Sequence, residues 1–214
     1  MKIVCQTLYK RYTYNWIIQN LSVTFEGTKI YGVSGPNGSG KSTFLSLLSG
    51  FLTPSQGTID YSHLGQKITR DDLYKYLSIS APYINLIEEY TVSELITMYR
   101  KLKPLQENMS ADEFLELSYL GDDQNKPIKY FSSGMAQRVQ LLLAIKTDCP
   151  LLFLDEPSSF LDDQARTWLY QMISDNCADK LVIMASNDRQ DLNYCDTVID
   201  LESIQLVSDE AMMR

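Results

Sequence analysis

The sequence predicts an α/β fold with a mainly parallel sheet, antiparallel N-terminal strands and an inserted helical lobe, and three features predict it. Gly35-Pro36-Asn37-Gly38-Ser39-Gly40-Lys41-Ser42-Thr43 fits G-x-x-x-x-G-K-[ST], between a short apolar run and a run with helical spacing. From residue 151 onward apolar strand patterns alternate with helical ones, which implies parallel strands joined by right-handed crossovers. Between about residues 91 and 133 strand signal is scarce and two S/T-x-x-E helix starts occur.

Taken in order, residues 3–8 and 21–25 predict strands on either side of an aromatic, polar turn holding Tyr12, Tyr14 and Trp16. Residues 29–34 are the strand before the glycine loop, and residues 42–49 the helix after it, ended by Gly50. Residues 53–57 form a turn, residues 58–61 start another strand, and residues 62–72 read as an exposed polar connection. Residues 76–80 alternate like a strand and stop at Pro82. Thr91-Val92-Ser93-Glu94 opens a helix to Leu102, and Ser110-Ala111-Asp112-Glu113 opens one to about Leu120. A third helix covers residues 135–145. Strands at 151–154, 181–185 and 197–201 then enclose helices at 162–173 and 189–194. The expected organisation is one domain over 1–214, with a core of about 1–82 and 134–214 and a lobe of about 83–133.

The glycine loop carries the first chemistry. A strand feeding such a loop into a helix N-terminus makes an anion site, because the glycines let successive N–H groups turn inward and the helix dipole adds positive potential. Lys41 reaches for β- and γ-phosphates, and the Ser42 hydroxyl for Mg²⁺. The second feature is Leu151-Leu152-Phe153-Leu154-Asp155-Glu156-Pro157, a buried-strand pattern ending in two acids. Ligands gather beyond such strand ends, so Asp155 is placed for the Mg²⁺ shell and Glu156 to polarise an attacking water. Without the glycine loop, the same two acids would read as helix caps.

Composition narrows the class. The chain has 214 residues and a formal net charge of −8, with no Lys/Arg run, which argues against direct binding to nucleic acid. Cys5, Cys149, Cys177 and Cys195 are scattered and form no C-x-x-C pair, and His63 is the single histidine, so reduced thiols are expected and no zinc site. No apolar run is long enough to span a bilayer, and the start does not read as a signal peptide. The expected location is the cytoplasm, with any membrane role through a partner.

Three segments in order resemble the ATP-binding cassette (ABC) ATPases: the glycine loop, Phe131-Ser132-Ser133-Gly134-Met135-Ala136-Gln137-Arg138-Val139, and Leu154-Asp155-Glu156-Pro157-Ser158-Ser159-Phe160-Leu161-Asp162. The resemblance covers nearly the whole chain. The middle segment is similar to the family's L-S-G-G-Q motif, with Ser133 and Met135 in place of a glycine and a glutamine. The resemblance implies that Ser132 and Gly134 bind the γ-phosphate held by the opposite protomer. The residues alone suggest either a second bare N–H anion site or a plain helix cap. It also places Tyr12 where the family stacks an aromatic on adenine, with Tyr14 and Trp16 as competitors. Asp162 matches an aspartate that contacts the other subunit.

Two departures from the family bear on chemistry. The glutamine expected after the strand at 76–80 is replaced by Pro82 or Ala81, which offers no side-chain ligand. The histidine expected after the strand at 181–185 is replaced by Asn187, which donates a hydrogen bond but exchanges no proton near neutral pH. His63 reads as a solvated residue in a polar loop and no substitute. The resemblance implies an ATPase subunit, with ATP and Mg²⁺, that powers an ABC transporter. It would sit on the inner face of the membrane through a separate transmembrane subunit and work as a homodimer or as a heterodimer with another ABC ATPase. Tyr83, Leu86, Ile87 and Tyr90 are expected on the docking surface or packed under the lobe. A non-transport ABC ATPase and a regulatory subunit with weak turnover are the alternatives.

Overall fold

A computed structural model describes residues 1–203 of the chain. The expected core range 134–214 therefore runs past the described residues.

Two sheets organise the chain. β1 (Lys2–Tyr12) and β2 (Asn15–Glu26) form a long antiparallel hairpin turning at Thr13 and Tyr14. β4 (Gln56–His63) pairs antiparallel with β1, and β5 (Gln66–Ile68) with β4. The second sheet has the order β6-β7-β8-β3-β9, and its pairs are parallel. Its strands are β3 (Ile30–Ser34), β6 (Leu77–Ser80), β7 (Leu151–Asp155), β8 (Leu181–Ala185) and β9 (Thr197–Asp200).

Strand alternation divides the core. On β7 and β8, Leu151, Phe153, Leu181 and Ile183 face a cluster with α1 (Lys41–Leu48) and the hairpin residues Ile3, Leu8, Ile18, Leu21 and Phe25. Leu152, Leu154, Val182 and Met184 face the other way, onto α4 (Ser133–Lys146) and α5 (Asp163–Asn176). A parallel sheet buried on both faces needs continuous apolar strands, and every residue of β7 and β8 is buried.

Between β6 and α4 lie α2 (Val92–Tyr99) and α3 (Ala111–Ser118), whose apolar faces join the α4/α5 cluster. Both carry complete capping boxes, Thr91 with Glu94 and Ser110 with Glu113. α6 (Arg189–Asn193) follows β8. Among the described residues no helix is long and apolar enough to cross a membrane.

Several elements differ from the sequence expectation. The hairpin strands are longer than 3–8 and 21–25, because polar residues continue the ladder past the apolar pattern. The polar stretch 62–72 holds the end of β4, all of β5 and the start of a 3₁₀ turn (Arg70–Lys75), since pairing of the edge strand needs no apolar alternation. α2 ends at Tyr99, before Leu102. His63 stands on β4, half-buried against Tyr76 at 5.9 Å between ring centroids, so it is not a solvated loop residue. Its Nδ1 is buried without a partner, and burial holds its pKa below the usual value. The four cysteines are free thiols; burial pushes Cys5 and Cys195 up to about 12 and Cys177 to about 11.

Candidate functional site

The glycine loop leaves β3 and enters α1 at Lys41. Gly40 is the N-cap of α1 with φ 99°, and a Cβ there would stand 2.7 Å from Ile17 Cγ2, so glycine alone fits. Thr91, Ser110, Ser132, Asp162 and Asp188 cap the other described α-helices with side-chain oxygens, whereas α1 has no side-chain cap. The unpaired N–H groups of its first turn and the positive end of its dipole are left for an anion.

Lys41 is buried at that opening. Its ammonium donates to the carbonyls of Gly35 at 2.8 Å and Pro36 at 3.2 Å and lies 3.4 Å from Glu156 Oε1. Exchanging two neutral carbonyl acceptors for phosphate oxygens adds ion-pair attraction to bonds that the ammonium already makes.

Asp155 ends β7 at 1% exposure, and neither carboxylate oxygen has a hydrogen-bond partner. Burial raises its pKa; the nearby Ser42 hydroxyl opposes that rise without reaching hydrogen-bond geometry, Glu156 adds to it, and Lys41 opposes it. A buried carboxylate without donors is costly, and a divalent cation shared with Ser42 removes that cost, so these residues fit Mg²⁺.

Glu156 turns the chain sharply. Its φ is 47°, in the left-handed region that costs a non-glycine residue roughly 1–3 kcal/mol. The turn is held because the Glu156 N–H donates to Ala185 O at 2.8 Å and its carbonyl accepts from Ser159 N–H at 3.1 Å. The result aims the carboxylate at Lys41, with Oε2 at 3.5 Å from both Ser186 Oγ and the Asn187 N–H. Asn187 is exposed, and its Nδ2 donates to Asn37 Oδ1 at 2.8 Å. Thus β3, β7 and β8 bring Gly35 to Thr43, Asp155, Glu156 and Asn187 to one end of the parallel sheet.

The other candidates stand apart from that centre. Ser132 Oγ accepts from Met135 N–H at 3.2 Å as the side-chain cap of α4. A Cβ on Gly134 would lie 3.0 Å from the Phe160 carbonyl, which explains the glycine by close packing. Among the described residues no hydrogen bond joins Ser132 or Gly134 to the glycine loop. Asp162 Oδ1 accepts from Ala165 N–H at 2.8 Å as the cap of α5. Pro82 is exposed and Ala81 buried, its carbonyl taken by Gln140 Nε2 at 3.1 Å. Tyr83 and Ile87 are exposed, while Leu86 and Tyr90 pack on the α4/α5 cluster.

The hairpin register separates the aromatics. Tyr12 pairs with Asn15 and shares a face with Lys10, whose partner Ile18 would lie 3.8 Å from a Cβ on Gly40. Trp16 pairs with Arg11 on the opposite face, where the Arg11 guanidinium covers its ring at 5.3 Å and Tyr9 meets it edge-on at 5.7 Å. Tyr14 is at the tip, 90% exposed.

Sequence reasoning missed Asp191, fully buried on α6. Its Oδ2 accepts from Ser158 Oγ at 2.9 Å and Ser186 Oγ at 2.7 Å, and its Oδ1 from Tyr170 OH at 2.7 Å. The available signal was an acid three residues after the α6 cap Asp188, a spacing that also fits an ordinary first-turn acid.

A strand–glycine loop–helix unit, an acid pair after a buried strand and a parallel sheet wound on both faces define a P-loop nucleotide-binding protein of the α/β class. The family model for "ABC transporter" matches residues 18–159, and the chain belongs to that family. It is 30% identical over 187 residues to the lantibiotic transport ATP-binding protein SrtF of Streptococcus pyogenes, covering 85% of this chain and 78% of that one. It is 27% identical over 177 residues to ABC transporter A family member 7 of Dictyostelium discoideum, covering 81% of this chain and 21% of that much longer one. The fold matches the dimeric bacterial ABC transporter cassette MJ0796 with a TM-score of 0.77 at 22% identity, over 92% of this chain and 93% of that one.

Proposed function

We propose that the chain binds MgATP on the glycine loop and hydrolyses it, powering transport through a separate membrane subunit on whose inner, cytoplasmic face it sits. The observation that carries this is the unpartnered Asp155 carboxylate beside the uncapped start of α1, with Lys41 3.4 Å from Glu156. In this reading residues 35–43 wrap the phosphates and Lys41 leaves Gly35 and Pro36 for the β- and γ-phosphate oxygens. Ser42 and Asp155 hold Mg²⁺, which neutralises charge on those oxygens. Glu156, freed from Lys41, polarises the attacking water, and Asn187 orients it. Tyr12 stacks on adenine, since it shares the face of the hairpin that packs on Gly40.

Ser132 and Gly134 complete the site of a second cassette, in a homodimer or in a heterodimer with another ABC ATPase. Dimeric arrangement in MJ0796 supports the dimer. Residues 1–82 and 134–203 form the described part of the nucleotide core, and residues 83–133 a lobe that meets the membrane subunit, with exposed Tyr83 and Ile87 at its edge. SrtF, a lantibiotic transport protein, supports the transport role. Slow turnover is favoured over fast, because the Asn187 amide is engaged by Asn37 and Pro82 supplies no ligand. Lys41→Ala tests the reading: MgATP binding measured at equilibrium should be lost or greatly weakened, and unchanged affinity would remove the glycine loop from the site.

A further inference from the structure

We infer that Asp191 is a positioning residue for ATP hydrolysis, holding Glu156 and Asn187 in mutual register through the hydroxyls of Ser158 and Ser186. The inference rests on the hydrolytic reading above. Ser158 is two residues after Glu156 on the turn leaving β7, and Ser186 is the residue before Asn187 on the turn leaving β8. One oxygen of one carboxylate, Asp191 Oδ2, receives both hydroxyls, at 2.9 and 2.7 Å. The two turns are therefore fixed to a common point behind the site as well as by the Glu156 N–H bond to Ala185 O.

The surroundings support a role in geometry. Asp191 is 0% exposed and its three hydrogen-bonding side chains are neutral hydroxyls, with Tyr170 on Oδ1. Burying a carboxylate without a bonded cation is costly, and apolar side chains of similar volume would join α5, α6 and the two turns at lower cost. What the carboxylate supplies and apolar packing does not is a directional, two-armed tie. Ser186 Oγ also accepts from Asp188 N–H at 3.0 Å, and Asp188 Oδ2 accepts from the Arg166 guanidinium at 2.7 Å, so the turn bearing Asn187 is held on both sides. The Ser186 proton goes to Asp191 across the shorter bond, which leaves Glu156 Oε2, 3.5 Å away, free to face water.

Ser186→Ala and Ser158→Ala each delete one arm with the loss of a single oxygen, and are compared with Asp191→Asn in the purified full chain. Small misplacement of a catalytic group costs up to about a hundredfold in rate, so each serine variant should lower kcat about ten- to a hundredfold. MgATP affinity should stay at the wild-type value, because no residue of the glycine loop has changed. In a Glu156→Gln background, Ser158→Ala should have no further effect, since the group it positions is already disabled. Unchanged kcat in both serine variants would overturn the inference, as would equal loss of kcat from Ser158→Ala in the wild-type and Glu156→Gln backgrounds. Affinity and kcat falling together with melting temperature would also overturn it, leaving Asp191 a structural tie. Failure of the hydrolytic reading itself looks different: wild-type phosphate release would then be insensitive to Lys41→Ala and to Glu156→Gln.

Discussion

Asn187→His tests the chemistry of the site most directly. Where charge develops in hydrolysis, one preorganised donor contributes about 2.7–4 kcal/mol. Asparagine supplies only part of that here, because its amide is held by Asn37 Oδ1 at 2.8 Å. Releasing it costs roughly 0.5–1.5 kcal/mol, and the short side chain then serves the phosphate directly or through a bridging water. Histidine should recover at least that release cost, roughly two- to tenfold in turnover. Binding should change little, since Lys41 and the α1 N-terminus hold the nucleotide. Single-turnover phosphate release measures the first quantity and equilibrium MgATP titration the second. Turnover that stays level or falls while MgATP still binds would show a site rebuilt around asparagine, and the slow-site reasoning would be withdrawn.

Two further outcomes follow from the same geometry. Glu156→Gln keeps the size of the side chain but removes the carboxylate that polarises water, so MgATP should shift this variant to a dimer on size-exclusion chromatography, and a persistent monomer would count against the hydrolytic role of Glu156. Tyr12→Ala should weaken MgATP binding by roughly 1–3 kcal/mol through lost base stacking, with Trp16→Ala close to wild type; the reverse order would show that the outer face of the hairpin meets the base.

The sequence by itself determined the parts whose signals are local. The glycine loop was legible because its conformation needs particular residue types in contiguous order, and Gly40 shows why: positive φ and a neighbour within contact exclude a side chain. The strands β7 and β8 were legible because burial on both faces demands an unbroken apolar run. The capping boxes of α2 and α3 were legible because each is closed within four residues.

Only the tertiary structure decided what depends on residues far apart in the chain. Tyr12 and Trp16 have similar sequence claims, and the register of β1 on β2 sets them on opposite faces. Residues 62–68 looked like a polar connection because an edge strand takes its hydrogen bonds from its neighbour, whatever its side chains. As a residue type Ser132 reads first as a helix cap, and only the fold shows which N–H its hydroxyl takes, that of Met135 at 3.2 Å. Asp191 was invisible for the same reason: its partners Ser158, Tyr170 and Ser186 come from three separate elements, and only packing brings their hydroxyls to one carboxylate.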